Sequence, residues 1–407
     1  MFKELKILKL SLFAIFLAII IWRVSESNKY SVFFSNGISH ELSSKIEIIQ
    51  AGNYNSADET LVIKSLFGNV VYKEDIDFAN NIQGGETKAD FPKANVKQVE
   101  LIDSCEAGIY LISDLYSLVI HSKENAVITV VYPYANNLIY QDEGYGTVLS
   151  NKVVEFNLIA PVLVDECTIG LKELFKFCAD NYSVNYITDT ELENRGLYSS
   201  SKLLVIYGRT SFYTQEMKNN IIEFLKQGGN ILLMSSSLAN NAIWLENNRV
   251  RFSESSFSDD FTISSWLSLG NDLRSEIGLS YRFGGKAKTV LGQAYTISNS
   301  SHEVFEGMEG KDVPLSAMHY IGAYCEGLAS DSSPIPKNDF YKSELLAFND
   351  CYNKGHKGNV GGMYLIQPDS TSGVILSLGT EDWCLSKNQS NKEVFTISKN
   401  AINFLLK

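Results

Sequence analysis

Two polar side chains stand where an α/β sheet usually presents its ligand-binding groups. Arg209 and Ser211 follow the apolar run KLLVIYG at 202–208, and they precede a predicted helix at 214–227. A guanidinium and a hydroxyl beside the N-terminus of a helix suit an anion such as a carboxylate or a phosphate, because both groups donate hydrogen bonds and the helix end carries partial positive charge. A solvated loop arginine without a ligand is the alternative.

A second polar loop follows the apolar run NILLMSSS at 230–237, and it carries Asn240 and Trp244. Loops after neighbouring parallel strands meet at one edge of the sheet, so we expect this loop to lie beside the first. Asn240 and Trp244 either fix a turn here or present an indole ring on which a sugar could stack.

Several common catalytic templates are missing from the sequence. No GxSxG elbow follows a strand, and neither a GxGxxG motif nor a P-loop occurs. The loops after 202–208 and 230–237 hold no Cys that could serve as a glutaminase-type nucleophile. The five histidines show no HxH or HExxH spacing. None of these templates therefore supplies a catalytic residue.

These loops belong to an alternation of buried strands and amphipathic helices from residue 125 onward. The helix at 214–227 has Thr214 as N-cap and a left-handed stop at Gly228. Continuous apolar strands are typical of a sheet covered on both faces. We therefore predict a doubly wound, mostly parallel sheet in residues 125–407, with an irregular insert at about 250–370 over its mouth. The strands are predicted at 126–132, 153–160, 202–208, 230–237 and 373–380, and the other helices at 166–181 and 391–406.

Residues 29–124 contain short apolar or alternating runs separated by clusters of Gly, Asn and Asp. Strands at this spacing are typical of a small β-sandwich. No pattern of metal ligands occurs in this stretch, so we expect it to act as a scaffold.

The first 28 residues predict a signal anchor. Basic residues up to Lys9 precede an uncharged run at 10–22, and Arg23 follows. This run is the length of a signal-peptide core, and with snorkelling flanks it makes a short transmembrane helix. The positive-inside rule puts the body of the chain outside the cytoplasm. We expect a single-pass anchor in the cytoplasmic membrane, with an envelope glycan or protein as partner. The alternatives are a cleaved secreted form and a buried N-terminal helix of a cytoplasmic protein.

The net charge and the cysteine content limit which partners and which disulfides we expect for this chain. The net charge is −12, which argues against nucleic acid as a partner, since such proteins carry clusters of Lys and Arg. Six cysteines stand at 105, 167, 178, 325, 351 and 384 without a CxxC motif. Disulfides are permitted in an exported chain, and their spacing leaves the pairing open, although Cys167 and Cys178 cannot pair along one predicted helix. Buried free thiols are the alternative.

Seven segments, in order, resemble the large (beta) subunit of N,N-dimethylformamidase and its relatives. The resemblance covers most of residues 30–407. It implies an immunoglobulin-like β-sandwich followed by a flavodoxin-like domain similar to class I glutamine amidotransferases. The segments are AGIY at 107–110, IYQDEGYG at 139–146, NYITDTEL at 185–192, YGRTSFYT at 207–214, GGNILLMSSSLANNAIW at 228–244, HEVFEG at 302–307 and SLGTEDWC at 377–384.

The resemblance also implies an amidohydrolase whose iron is held by two tyrosines and one glutamate. Tyr110 and Tyr140 match the tyrosines, but the position of the glutamate holds Ser211 and that of a histidine holds Arg209. Serine is a poor iron ligand, and arginine is a permanent cation. Glu326, or Glu143, could supply the acid from a neighbouring loop. Packing at a domain interface is the alternative for both tyrosines.

Two functions follow from these expectations. The first is an N,N-dimethylformamidase-like protein whose degraded iron site binds a ligand or partner without hydrolysis. The second is a metal-dependent hydrolase of a C–N bond in a small amide or a cell-surface glycan. A purely structural role is a third possibility.

Overall fold

The computed structural model describes residues 31–34, 39–41, 45–51, 59–76, 94–100, 105–122, 125–141, 155–157, 162–239, 241–246, 249–252, 277–287, 295–315, 317, 319–323, 341–352 and 360–407. Residues 1–28, Asn240, Glu143 and Glu326 lie outside the described residues.

Eight strands come first in the chain and form two sheets. They are β1 Ser31–Phe34, β2 Ser39–Glu41, β3 Lys45–Ala51, β4 Glu59–Ser65, β5 Val70–Ile76, β6 Ala94–Glu100, β7 Gly108–Ile112 and β8 Tyr116–His121. One sheet has the order β1-β3-β6 and is antiparallel. The other has the order β2-β8-β7-β4-β5, with only β2 and β8 parallel. The short apolar runs thus form strands, and the immunoglobulin-like sandwich stays a prediction.

The rest of the chain is a mixed α/β fold. Its strands are β9 Ile128–Tyr132, β10 Glu155–Asn157, β11 Val184–Thr188, β12 Leu203–Tyr207, β13 Phe212–Tyr213, β14 Asn230–Met234, β15 Asn241–Glu246, β16 Arg249–Phe252, β17 Leu279–Ala287, β18 Tyr295–Ile297, β19 Asp312–Val313, β20 His319–Ala323, β21 Lys342–Tyr352, β22 Val360–Gln367 and β23 Ile375–Ser377. Its helices are α1 Tyr134–Gln141, α2 Glu166–Gly170, α3 Lys172–Asn181, α4 Gln215–Lys226, α5 Ser386–Gln389 and α6 Lys392–Leu405. Short 3-10 turns occupy Asp189–Glu193, Arg195–Leu197, Glu303–Phe305 and Glu381–Cys384.

Five parallel strands form the centre of the main sheet, in the order β11-β9-β12-β14-β23. Beyond β23 the sheet continues with antiparallel strands β22, β21, β17 and β20. Side chains of β12 alternate between two hydrophobic clusters: Val205 packs with α3 and α6, whereas Ile206 packs with α4. Helices on both faces bury the strands, which explains their continuous apolar sequences.

The ends of α4 agree with the prediction from its sequence. The Thr214 hydroxyl accepts a hydrogen bond from the Met217 N–H (3.1 Å). Gly228 has φ +88°, a conformation that stops a helix at little steric cost. The single helix predicted at 166–181 is instead two helices, α2 and α3, separated at Leu171. The break lies next to Gly170, whose backbone abuts that of Cys384, leaving no room for a side chain.

Two other expectations are corrected. The apolar run at 153–160 does not add a strand to the central sheet, because its described part, β10, pairs antiparallel with β16 in a separate sheet of order β10-β16-β15-β13. The stretch at 250–370 is not an irregular insert where it is described. Its strands β17, β20, β21 and β22 extend the main sheet at the edge beyond β23.

No helix in the part of the chain that the structure describes is long and apolar enough to cross a membrane. The longest of these, α6, has 14 residues, whereas a span needs about 20. This finding overturns the predicted single-pass anchor in the cytoplasmic membrane. The extracytoplasmic placement and the envelope partner, which followed from the anchor, have no support among the described residues. Residues 1–28, on which the prediction rested, lie outside the described residues.

Candidate functional site

The loops after the central strands meet at one edge of the main sheet. Strands β9, β12, β14 and β23 are parallel neighbours, so their carboxyl ends lie side by side. The chain leaves β9 for β11 on one side and resumes at β12 on the other. In open α/β sheets, a crevice forms where the connections diverge in this way. A site is therefore expected among the residues that follow β9 and β12.

Helix α1, which follows β9, is held by the buried carboxylate of Asp189. Asp189 accepts hydrogen bonds from the backbone N–H groups of Ala135 (2.8 Å) and Asn136 (3.2 Å) and from the Asn136 side chain (2.9 Å). Burial raises the pKa of Asp189 to about 6, although these hydrogen bonds lower it. Asn136 also accepts a hydrogen bond from the Phe212 N–H (2.9 Å) and donates one to the Phe212 carbonyl (3.1 Å). The start of α1 is thus tied to the loop after β12.

Tyr140 lies one turn further along α1 and faces the same loop. Its hydroxyl donates to the Ser211 Oγ (3.3 Å), and its ring meets the Phe212 ring edge-on at 5.6 Å. Tyr140 is half-buried. Burial raises its pKa to about 12, with the Ser211 hydrogen bond and the charge of Arg209 acting in the opposite direction and Glu381 adding to the increase. The phenol is therefore neutral at physiological pH.

The loops after β12 and β14 are joined by their own hydrogen bonds. The Ala239 and Asn241 N–H groups donate to the carbonyls of Thr210 (2.8 Å) and Ser211 (2.7 Å). The hydroxyls of Ser211 and Ser237 are 2.6 Å apart. Ser211 is buried and already bonded to Tyr140 and Ser237, so it forms part of the floor of the site.

Arg209 is the exposed cation at this edge. Its guanidinium carbon lies 4.5 Å from the centroid of the Tyr140 ring, which is within the range of cation–π attraction. The N-terminus of α4 does not reinforce it. There the Thr214 hydroxyl donates to the Glu193 carboxylate (2.5 Å), so an anion at this helix end would meet a negative group.

Glu381 is the residue that the sequence analysis missed. Gly379, with φ +86°, turns the chain after β23, and Glu381 then opens the 3-10 turn whose N-cap is Thr380. Its half-buried carboxylate accepts a hydrogen bond from the Ser236 side chain. Burial and the charge of Asp382 raise its pKa to about 7, while Arg209 and Ser236 lower it. An acid directly after the last buried strand is the sequence signal for this residue.

We refer to Tyr140, Arg209, Ser211, Ser236 and Glu381 as the loop cluster. It combines an exposed guanidinium, a neutral phenol, two hydroxyls and a carboxyl group whose charge changes near neutral pH. Such a set can bind an anion through Arg209 and can donate or accept a hydrogen bond through Glu381.

The other predicted site residues lie elsewhere or are not described. Tyr110 is on β7, where it is buried, and its hydroxyl donates to the Glu106 carbonyl (2.7 Å). Trp244 is 39% exposed on β15, so it belongs to a strand rather than to the expected turn. Asn240 and Glu326 lie outside the described residues.

Iron, the metal that the resemblance implies, does not fit the described donors. Ferric iron prefers anionic oxygen ligands, but Tyr140 has a permanent cation, Arg209, over its ring. Ser211 provides no charge. Within the described residues, no group of three or more His, Cys, Asp and Glu side chains could hold a metal ion. Tyr110 and Tyr140 each have their own separate hydrogen-bond partner.

Comparisons with known proteins add little. No protein-family model and no curated protein matches the chain. Among solved structures, the chain is similar to the "mmIFT52 N-terminal domain", with 10% sequence identity and a TM-score of 0.35, over 58% of this chain and 91% of that chain. A similarity at this level supports no statement about function.

Proposed function

We propose that this chain binds a small anionic ligand, through a carboxylate or phosphate group, at the loop cluster and does not hydrolyse it. The observation that carries the proposal is the exposed Arg209 guanidinium, which is stacked on Tyr140 at the edge where the connections of the sheet diverge. The ring covers one face of the guanidinium, so the N–H groups at the edge of the guanidinium can still donate hydrogen bonds to an anion.

The architecture is consistent with a binding site in this place. The spatial order β11-β9-β12-β14-β23 corresponds to 2-1-3-4-5 in chain order, which is the flavodoxin-like arrangement. Proteins with that strand order bind ligands at the carboxyl ends of the strands, at the point where the order of the strands reverses. Here that point lies between β9 and β12. We extend the proposal to an N,N-dimethylformamidase-like protein with a glutamine amidotransferase-like domain and a degraded iron site. The support for this part is the seven matching segments.

A second function, hydrolysis of a small amide, is favoured by one observation, which is the position of Glu381. A carboxyl group with a pKa of about 7 is well suited to act as a general base at neutral pH. It would take a proton from water as the water oxygen attacks the amide carbonyl, and Arg209 would stabilise the oxyanion that forms. The protonated Glu381 would then give this proton to the amide nitrogen as the C–N bond breaks, releasing the amine and leaving the carboxylic acid. This route uses Glu381 in place of the acid that is absent at Ser211.

Calorimetric titration of the full chain with inorganic phosphate and with acetate tests the proposal. Arg209→Gln should abolish binding of both anions. Lys202→Gln is the matched control, because Lys202 is exposed at the opposite end of β12 and its loss changes the net charge equally. Binding that survives Arg209→Gln, or that Lys202→Gln weakens as much, would contradict the proposal. So would an absence of binding at about 10 mM of either anion.

The same preparations separate binding from hydrolysis. A protein that leaves N,N-dimethylformamide and acetamide intact supports a binding function. Turnover of either amide that is lost in Glu381→Gln would establish the second function instead. Stoichiometric iron that disappears in Tyr140→Phe would show that the metal site is intact and would overturn the proposed loss of the iron site.

A further inference from the structure

Two cysteine side chains meet directly behind the loop cluster. Cys167 lies in the first turn of α2, and Cys384 ends the 3-10 turn that begins with Glu381. The Cys167 Sγ lies 3.6 Å from the Glu381 carbonyl oxygen, in the turn that Cys384 ends, and both cysteines are free. Two thiols held in adjoining segments need only a modest movement to reach the bonding distance of a disulfide.

The backbone around the pair is packed closely enough to hold them together. A Cβ at Gly170 would clash with the Cys384 carbonyl and with the backbone of Leu385 and Ser386. The backbones of α2 and of the Cys384 segment are therefore in direct contact. A disulfide requires Cβ atoms about 4 Å apart, and Cys167 lies one turn before Gly170 in α2, so this contact brings the segments of the two cysteines close together.

The two thiols differ in access. Cys167 is half-buried, whereas Cys384 has no exposed surface. A reagent from solution can therefore reach Cys167 first, whereas Cys384 is shielded from it. This is the arrangement of an attacking and a resolving cysteine.

We propose that Cys167 and Cys384 form a reversible disulfide by exchange with a small-molecule disulfide. The Cys167 thiolate attacks one sulfur of the reagent, forming a mixed disulfide and releasing one thiolate. The Cys384 thiolate then attacks the Cys167 sulfur, closing the protein disulfide and releasing the second thiolate. Two electrons pass from the protein dithiol to the reagent, and the two protons lost by the protein end on the two released thiols.

The exchange should be slow at neutral pH. The nearby Cys384 thiol and burial raise the pKa of Cys167 well above its ordinary value, and the charges of Asp165 and Glu381 add to the increase. Only the thiolate attacks, so the rate should rise with pH until Cys167 ionises.

The disulfide would affect the loop cluster through the backbone segments that carry Glu381 and Arg209. The Cys167 Sγ lies 3.6 Å from the Glu381 carbonyl oxygen, and a Cβ at Gly208 would lie 3.7 Å from the Cys167 Cβ. Cys167 thus touches the segments that carry both Glu381 and Arg209. Oxidation would fasten the Glu381 turn to α2.

Mass spectrometry of the full chain tests this proposal without reference to ligand binding. The reduced protein is incubated with oxidised glutathione, its remaining thiols are blocked with N-ethylmaleimide, and it is digested. We expect a peptide pair linked through Cys167 and Cys384 that disappears on reduction and forms faster at pH 9 than at pH 7. Absence of this pair, or linkage of Cys167 to another cysteine, would overturn the proposal.

Three variants assign the roles. Cys384→Ser should leave glutathione attached to Cys167, because the resolving thiol is gone. Cys167→Ser should leave Cys384 unmodified, and glutathione on Cys384 in this variant would refute the order of attack. Cys178→Ser removes another buried thiol nearby and should leave the linked pair unchanged. Loss of the pair in Cys178→Ser would show that Cys178 takes part and would also contradict the proposal.

Discussion

The guanidinium of Arg209 lies over the ring of Tyr140, with 4.5 Å between the guanidinium carbon and the ring centroid. Arg209 comes from the loop after β12, and Tyr140 comes from the helix after β9, so the contact bridges the two strands between which the connections diverge. Because Tyr140 is fixed in turn by Ser211 and Phe212, the guanidinium lies over a ring whose own position is set. The ring therefore orients the charge of the candidate site.

Replacing the Tyr140 ring should weaken anion binding. Tyr140→Leu removes a cation–π contact worth about 0.5–1 kcal/mol, so the dissociation constant for inorganic phosphate should rise roughly two- to fivefold. Tyr140→Phe retains the ring and should bind phosphate as the wild type does. Titration calorimetry on the three proteins measures the difference. Equal affinities in all three would show that the ring does not orient Arg209.

The affinity for anions should depend on pH through Glu381. With a pKa of about 7, Glu381 becomes neutral as the pH falls, and it then no longer competes with an anion for Arg209. Affinity for acetate, which keeps its charge in this range, should rise about fourfold from about pH 8 to about pH 6, the effect of roughly 1 kcal/mol of charge repulsion. Glu381→Gln should bind with the low-pH affinity throughout. A pH dependence that persists in Glu381→Gln would assign the titration to another group.

Asp189 should make the fold less stable as the pH rises. Its pKa is raised to about 6 in the folded chain, so the folded state binds the proton more tightly than the unfolded state does. The resulting stability is present below the unfolded pKa of about 4 and is lost as the pH rises through about 6; it amounts to roughly 3 kcal/mol. Urea unfolding of the wild type and of Asp189→Asn over this range measures it. A slope that is equal in both proteins would exclude Asp189 as its source.

Local sequence signals were enough to predict the central strands and α4. Each of these signals determines the structure of residues close to it in sequence. They are the apolar runs at 202–208 and 230–237, the N-cap Thr214 and the glycine stop at Gly228. For strand β10, such local signals did not predict the sheet to which the strand belongs. An apolar run shows that a strand is buried, but it does not show which sheet buries it. The partner of β10 is β16, far along the chain, and no local pattern connects the two.

The residues of the candidate site also fall into those that local sequence predicted and those that it did not. Arg209, Ser211 and Tyr140 were candidates because they lie in loops directly after strands or in a matching segment. Glu381 also follows a buried strand and lies in a matching segment, but it was not a candidate, because its proximity to Ser236 and Arg209 depends on the pairing of β14 with β23. The contact between Cys167 and Cys384 likewise depends on the packing of α2 against the turn after β23. Contacts between distant segments are set by the assembled sheet, so they could not be predicted from spacing alone.

Gly170 should be intolerant of a side chain. A Cβ there would clash with the backbone of Cys384, Leu385 and Ser386, which has no flexible atoms that could move aside. We expect Gly170→Ala to lower the free energy of unfolding by about 2–3 kcal/mol, as overpacking of a tight core does. It should also separate Cys167 from Cys384 and so reduce the yield of their disulfide. Gly310→Ala is the control, because a Cβ at that position would meet only ordinary contacts with Asp312. Equal stability of the two variants in urea unfolding would show that α2 does not pack against Cys384 as described.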